Sequence, residues 1–152
     1  MEFLIYLDVC CLNRPFDDQT QERIRLEAEA VVLILDRCQR SEWRLLGSEA
    51  VDVELRRTPD GTRKEQMKFW AAAAITKMTI TEQIESRGRE LMNMGFKDFD
   101  ALHIASAEAG NADILLTTDD RMLRLAARYQ DLLQVKVENP LQWLIKVTND
   151  RR

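Results

Sequence analysis

Between Gly95 and Asp120 the chain reads as a helix, a tight turn and a fully buried strand, with carboxylates where the helix begins and where the strand ends. Ala101, Leu102, Ala105 and Ala109 recur at helical spacing and form one apolar stripe. Gly110-Asn111 stops that helix. Ile114-Leu115-Leu116 then runs apolar without alternation, the pattern of a strand covered on both faces, as in a parallel sheet. Asp100 is thereby set in the first turn of a helix and Asp119 just past the carboxyl end of a central strand. In an open α/β sheet that rim is where ligands bind.

The remaining segments alternate in the same way. Phe3 to Leu7 is expected to be a buried strand ending at Asp8, and Val9 to Gln19 a loop marked by Asn13, Pro15 and Asp17-Asp18. A long helix is predicted from Thr20 to Arg40, with Ile24, Ala28, Val31, Leu35 and Cys38 inward and Glu22, Arg23, Arg25, Glu27 and Glu29 mostly outward. Trp43 to Leu46 reads as a strand, Gly47-Ser48 as a turn, and Ser48 as the N-cap of a helix through Glu54 to Arg57. Thr58-Pro59-Asp60-Gly61 breaks the chain before a helix over Arg63–Ile75, an edge strand over Lys77–Thr81 and a helix capped by Thr81 that ends near Gly95. A helix opening at Asp119 or Asp120, a strand over Leu133–Val137 and an Asn139-Pro140 helix start complete the chain. A parallel sheet wrapped by helices is the economical fold.

At 152 residues the chain suits one domain with a full core. No apolar run is long enough to span a bilayer, and the N-terminal segment lacks a basic leader. The cysteines are Cys10, Cys11 and Cys38, an odd set with an adjacent pair, and a single histidine offers little for a zinc site, so a reducing cytoplasm is expected. A net charge of −4 argues against a non-specific nucleic-acid coat but permits local basic contacts.

In a parallel sheet Asp8, Asp100 and Asp119 share one edge, and Glu54 lies about two turns into the helix after the second strand. Carboxylates brought together raise one another's pKa unless a counter-charge is supplied. Hard divalent cations such as Mg²⁺ or Mn²⁺ supply it and prefer oxygen ligands. Such a cation acidifies water and offsets charge on a phosphodiester. Taken singly, Asp119 also fits a helix cap, Asp100 a complement to a helix dipole and Glu54 a solvated helix residue.

Tyr6-Leu7-Asp8, Ser48 to Leu55, Phe99 to Ala105 and Leu115 to Asp119 resemble the four signature blocks of the PIN-domain family, and Asn139 to Leu144 resembles the end of its domain. The resemblance implies a Rossmann-like, three-layer α/β fold over residues 1–152 and a Mg²⁺- or Mn²⁺-dependent ribonuclease. It also implies the toxin half of a toxin–antitoxin pair, with a small antitoxin partner and a homodimeric assembly. Residue by residue, Asp8, Glu54, Asp100 and Asp119 match the acidic quartet that holds metal and carries catalysis, and Thr117 matches the threonine that orders the strand end. Glu49 rivals Glu54, and Asp98 rivals Asp100. The family often carries Thr-Asn after the first aspartate, where this chain has Val9-Cys10, and Asn13 is a candidate substitute for the missing asparagine.

Other residues carry weaker expectations. His103 suits a packed helix position one turn after Asp100, and Cys10 and Cys11 suit buried inert thiols. Arg14, Arg56, Arg57, Arg63 and Lys64 are candidates for a phosphate-holding rim, and Trp43, Trp70 and Trp143 for the core. Two other functions stand beside the nuclease: a non-catalytic binding module of the same fold, and a phosphotransfer or phosphatase domain. The phosphatase pattern wants a second aspartate where Cys10 stands.

Overall fold

The structure, a computed structural model, describes residues 2–149. Five strands, β1 (Leu4–Leu7), β2 (Arg44–Ser48), β3 (Thr76–Met78), β4 (Ile114–Leu116) and β5 (Lys136–Glu138), form one sheet in the order β3-β2-β1-β4-β5. Every neighbouring pair is parallel. The chain steps outward from β1 to β2 and β3, then returns to lay β4 on the other side of β1. The order therefore reverses between β1 and β4, the place where open α/β sheets form a ligand crevice.

Among the described residues eight α-helices flank the sheet: α1 (Val9–Asn13), α2 (Glu22–Gln39), α3 (Glu49–Arg56), α4 (Thr62–Ala71), α5 (Glu82–Asn93), α6 (Asp98–Ala109), α7 (Asp120–Arg128) and α8 (Pro140–Asn149). Alternate residues of β1 face opposite helix layers. Tyr6 meets His103 of α6, whereas Phe3, just before the strand, meets Trp143 of α8 at 5.2 Å between ring centroids. Ile5, Tyr6 and Leu7 are all buried, so the strand is covered on both sides, as its apolar run predicts. Trp43 and Trp143 close the Phe3 side as core residues, and Trp70 packs half-buried against the core beside Phe16. None of the described helices is long and apolar enough to cross a membrane.

Several local expectations hold for the stated reason. Ser48 caps α3 by accepting the Val51 N–H, Thr81 caps α5 through Ile84 N–H, and Asn139 accepts from Leu141 and Gln142 at the start of α8. At the end of α6 the two stop residues divide the work. Asn111 takes the left-handed conformation (φ 57°), and Gly110 supplies space, since a Cβ there would lie 2.5 Å from the Leu46 side chain.

Five segments differ from the sequence reading. Val9–Asn13 is a helix, not a loop, because Val9, Cys11 and Leu12 turn into the core; Pro15 sits in the 3₁₀ turn Arg14–Phe16, where its missing N–H costs nothing. The helix expected from Thr20 begins at Glu22 without a side-chain cap, Thr20 being held by Asp18 instead. The Ala72–Ala74 run does not continue α4, because Ile75 N–H bonds to Leu45 O and draws the chain into the sheet edge as β3. Strand β2 runs on through Gly47 and Ser48, and β5 starts at Lys136.

Candidate metal centre

Asp8 leaves the end of β1 beside the end of β4, with its N–H on Leu116 O at 3.0 Å. Its Oδ2 accepts the Thr117 hydroxyl at 2.9 Å and the Cys10 thiol at 3.3 Å. The same Thr117 oxygen accepts the Asp119 N–H at 3.2 Å, so one hydroxyl ties together the two acidic corners flanking the sheet's reversal. Asp119 also caps α7, its Oδ1 accepting from Arg121 and Met122. Position and capping are therefore compatible readings of Asp119.

Glu54 comes in from α3 and His103 from α6. His103 Nε2 lies 2.6 Å from Glu54 Oε1 and 3.5 Å from Asp8 Oδ1, and the ring is wholly buried. Asp8, Glu54 and His103 each offer a ligand atom within 4.8 Å of the others. Asp100 and Asp119 stand outside that tightest group, yet Asp100 feels it. Burial first, then the charges of Asp8 and Asp119, push the Asp100 carboxyl up to about 6, with His103 opposing. Burial works against a charge on His103, but its hydrogen bond to Glu54 and the charges of Asp8, Glu54 and Asp100 outweigh this and raise its pKa.

Among the described residues none of the four acids is paired with a lysine or arginine; His103 is the one basic side chain among them. The donor set is thus rich in hard oxygen, short of positive charge and partly closed to water. It suits a divalent cation such as Mg²⁺ or Mn²⁺ better than a thiolate-seeking metal.

The family model for the PIN domain matches residues 5–128. The chain belongs to the PIN-domain family. Among solved structures it is similar to VapBC2 from Rickettsia felis, bound to a DNA fragment from the promoter, with a TM-score of 0.53 and 14% identity over 90% of this chain and 98% of that one. It is likewise similar to VapBC-1 from nontypeable Haemophilus influenzae, with a TM-score of 0.51 and 14% identity over 92% and 98% of the two chains. At such identity these likenesses speak for the fold. No curated protein is similar enough in sequence to count as a relative.

Within this PIN domain the rival acids part company. Glu49 Oε1 accepts the Ile80 N–H at 2.6 Å, fastening α3 to the segment after β3, whereas Glu54 faces His103. Asp98 is exposed at the start of α6, and Asp100 is half-buried toward the other acids. Asn13 does not brace the site, since its side-chain oxygen accepts from Arg63. Cys10 stands in the brace position instead, touching Asp8, Thr117 Oγ1 at 3.2 Å and Thr118 N–H at 3.3 Å. It is half-buried, not buried as expected, whereas Cys11 is buried against Leu116 O as expected.

Of the basic candidates, Arg14 pairs with Asp17 and Glu27, Arg63 with Asp17, and Lys64 is buried against Asp60. Arg57 stacks on Phe99, whose ring in turn faces His103. His103 is packed on α6, as expected, and its hydrogen bond to Glu54 is what the fold adds. Its position three residues after Asp100, on the same helix face, was legible in the sequence; its partner on α3 was not.

Proposed function

We propose that this chain is a Mg²⁺- or Mn²⁺-dependent endoribonuclease, a single PIN-like domain over residues 1–152 that hydrolyses RNA phosphodiesters. The observation that carries the reading is Asp8: it is buried beside Glu54 where the strand order reverses, and no lysine or arginine among the described residues pairs with it. Asp8, Glu54, Asp100 and Asp119 would hold the cation and serve as the catalytic set. When bound, a divalent cation offsets charge on the scissile phosphodiester and acidifies the attacking water.

The chain's own groups supply order. Thr117 and Cys10 fix the Asp8 carboxylate, and His103 fixes Glu54. Burial and the charges of Asp8 and Asp119 hold the Asp100 carboxyl up at about 6, and a cation held beside it would favour its ionised form. Arg56 and Arg57 contact the RNA backbone without reading its sequence.

In the cell the chain acts in the cytoplasm as the toxin of a toxin–antitoxin pair, as a homodimer held inactive by a small antitoxin. The family match and the likeness to structures bearing the VapBC name support this role. A neighbouring reading frame encoding a small protein with a DNA-binding head and an amphipathic tail is the corresponding genetic expectation.

The test is cleavage of a structured RNA by the purified chain in Mn²⁺. EDTA and the double substitution Asp8→Asn with Asp100→Asn should each abolish it. Cleavage that survives the double substitution overturns the reading, and Mn²⁺ binding without cleavage points to a non-catalytic binding module.

A further inference from the structure

Behind the carboxylates runs a buried chain of hydrogen bonds with no place in the four-acid scheme. The Tyr6 hydroxyl lies 2.6 Å from Ser48 Oγ and 2.6 Å from His103 Nδ1. Tyr6 and His103 are wholly buried and Ser48 nearly so. Ser48 Oγ also accepts the Val51 N–H at 3.1 Å. The path thus begins at the first turn of α3, crosses β1 and α6, and returns to α3 at Glu54 through His103 Nε2.

Proton bookkeeping makes the tyrosine hydroxyl necessary. A carboxylate only accepts, so the ring nitrogen facing Glu54 carries hydrogen. If the ring is neutral, Nδ1 accepts from the Tyr6 O–H, and the Tyr6 oxygen accepts from Ser48. If the ring is an imidazolium, Nδ1–H donates to the Tyr6 oxygen, and the Tyr6 O–H turns to Ser48 Oγ. The same heavy atoms stay bonded in both states, so the arrangement does not depend on the charge of the ring. Phenylalanine would fill the strand position between Ile5 and Leu7 equally well but could serve neither state.

We propose that Tyr6 is a positioning residue for the carboxylate site: anchored on Ser48, it holds the His103 ring so that Nε2 faces both Glu54 and Asp8, keeping the two carboxylates at a spacing one divalent cation can bridge. His103 then acts as an orienting donor and not as a ligand, which leaves the cation an all-oxygen set. This inference rests on the cation-dependent reading above.

The full chain with Tyr6→Phe tests it, and three readouts separate the roles. His103 is the only histidine, so its ring nitrogens are assigned without ambiguity in ¹⁵N spectra. In the metal-free protein Tyr6→Phe should shift the Nδ1 signal and loosen the single ring arrangement. Mn²⁺ affinity by calorimetry should fall about 10- to 100-fold, the usual effect of losing a partner behind a metal ligand. In RNA cleavage kcat should fall while KM is held, a split that a general loss of folded protein does not produce.

If Tyr6→Phe does not fold, Ser48→Gly removes the other anchor while keeping a residue tolerated at an N-cap, and the same shifts are expected in weaker form. Mn²⁺ affinity unchanged from the parent overturns the proposal, whatever the ring does, and so does a parent protein that binds no Mn²⁺. A parent that binds Mn²⁺ but leaves RNA intact sinks the nuclease reading alone, because the ring signal and the Mn²⁺ titration are read without RNA.

Discussion

Glu27 and Asp8 are both shut away from water, at 2% and 4% exposure, yet their surroundings are opposite. Glu27 Oε2 accepts from Arg23 at 3.1 Å and from Asn139 at 2.6 Å. Arg14 stands 3.1 Å from its Oε1 as an ion pair, at an angle that forms no hydrogen bond. Glu108, also buried, is gripped by Arg87 through both oxygens and by the Gln134 N–H. Asp8 receives a hydroxyl and a thiol, and among the described residues the basic nitrogen that reaches it is His103 Nε2 at 3.5 Å. A buried acid that holds elements together is matched with cations of the chain, because an unpaired buried charge is costly. The acids at the end of β1 and in α3 are left in want of one, which is the condition for taking a cation from solution.

The largest test of this contrast is Asp8→Asn, which removes charge where none is compensated. RNA cleavage in Mn²⁺ should fall on the order of a thousand-fold, since several kcal/mol of charge stabilisation depends on the ion. Thermal stability of the metal-free protein should not fall. If metal-free Asp8→Asn unfolds at lower temperature, Asp8 is a structural acid like Glu27 and the contrast breaks.

Glu27→Gln should behave in the opposite way. It strands Arg14 beside a neutral side chain and should lower stability by about 3 kcal/mol in denaturant titration, leaving Mn²⁺ affinity in place. A third comparison adds the ion itself. Mn²⁺ at a hundred times its Kd should stabilise the parent by about 2.7 kcal/mol and leave Asp8→Asn unmoved, as melting curves would report.

The smallest effect concerns Asp100. Its folded pKa of about 6 lies above the ordinary carboxylate value near 4, so between these pH values the folded state holds more protons than the unfolded one. Stability of the metal-free protein is therefore lost as pH rises through that window. Asp100→Asn should recover about 1 kcal/mol above pH 6, after allowance for solvent screening of a half-exposed group, and nothing below pH 4. A gain that persists at pH 3.5 would assign the effect to something other than this charge.

Much of the scaffold was legible because its rules are local. The apolar runs of β1 and β4, the caps at Ser48, Thr81, Asp119 and Asn139, and the stop at Gly110-Asn111 depend on residues within one turn of each other. The acidic blocks were legible by their resemblance to the PIN pattern. What remained closed was which side chain meets which across the fold. Glu27 lies among charged neighbours in the sequence and was expected outside; it is buried because Arg14 and Asn139 reach it from other elements. Val9–Asn13 carries loop markers just beyond it, and only the core under Val9, Cys11 and Leu12 makes it a helix.

The sequence by itself determined the alternation of strands and helices, the caps and stops at Ser48, Thr81, Asn139 and Gly110-Asn111, and the presence of acids at the carboxyl edge of the sheet, because propensity, capping and burial pattern act between neighbours. Tertiary structure alone decided that Glu49 fastens α3 to the segment after β3 while Glu54 meets His103, that Cys10 braces Asp8, and that Tyr6 and His103 stand behind the carboxylates. Those contacts join positions such as Asp8 and Thr117, 109 residues apart, and Glu54 and His103, 49 apart. Their geometry follows from the packing of whole elements, which no local pattern of residues encodes.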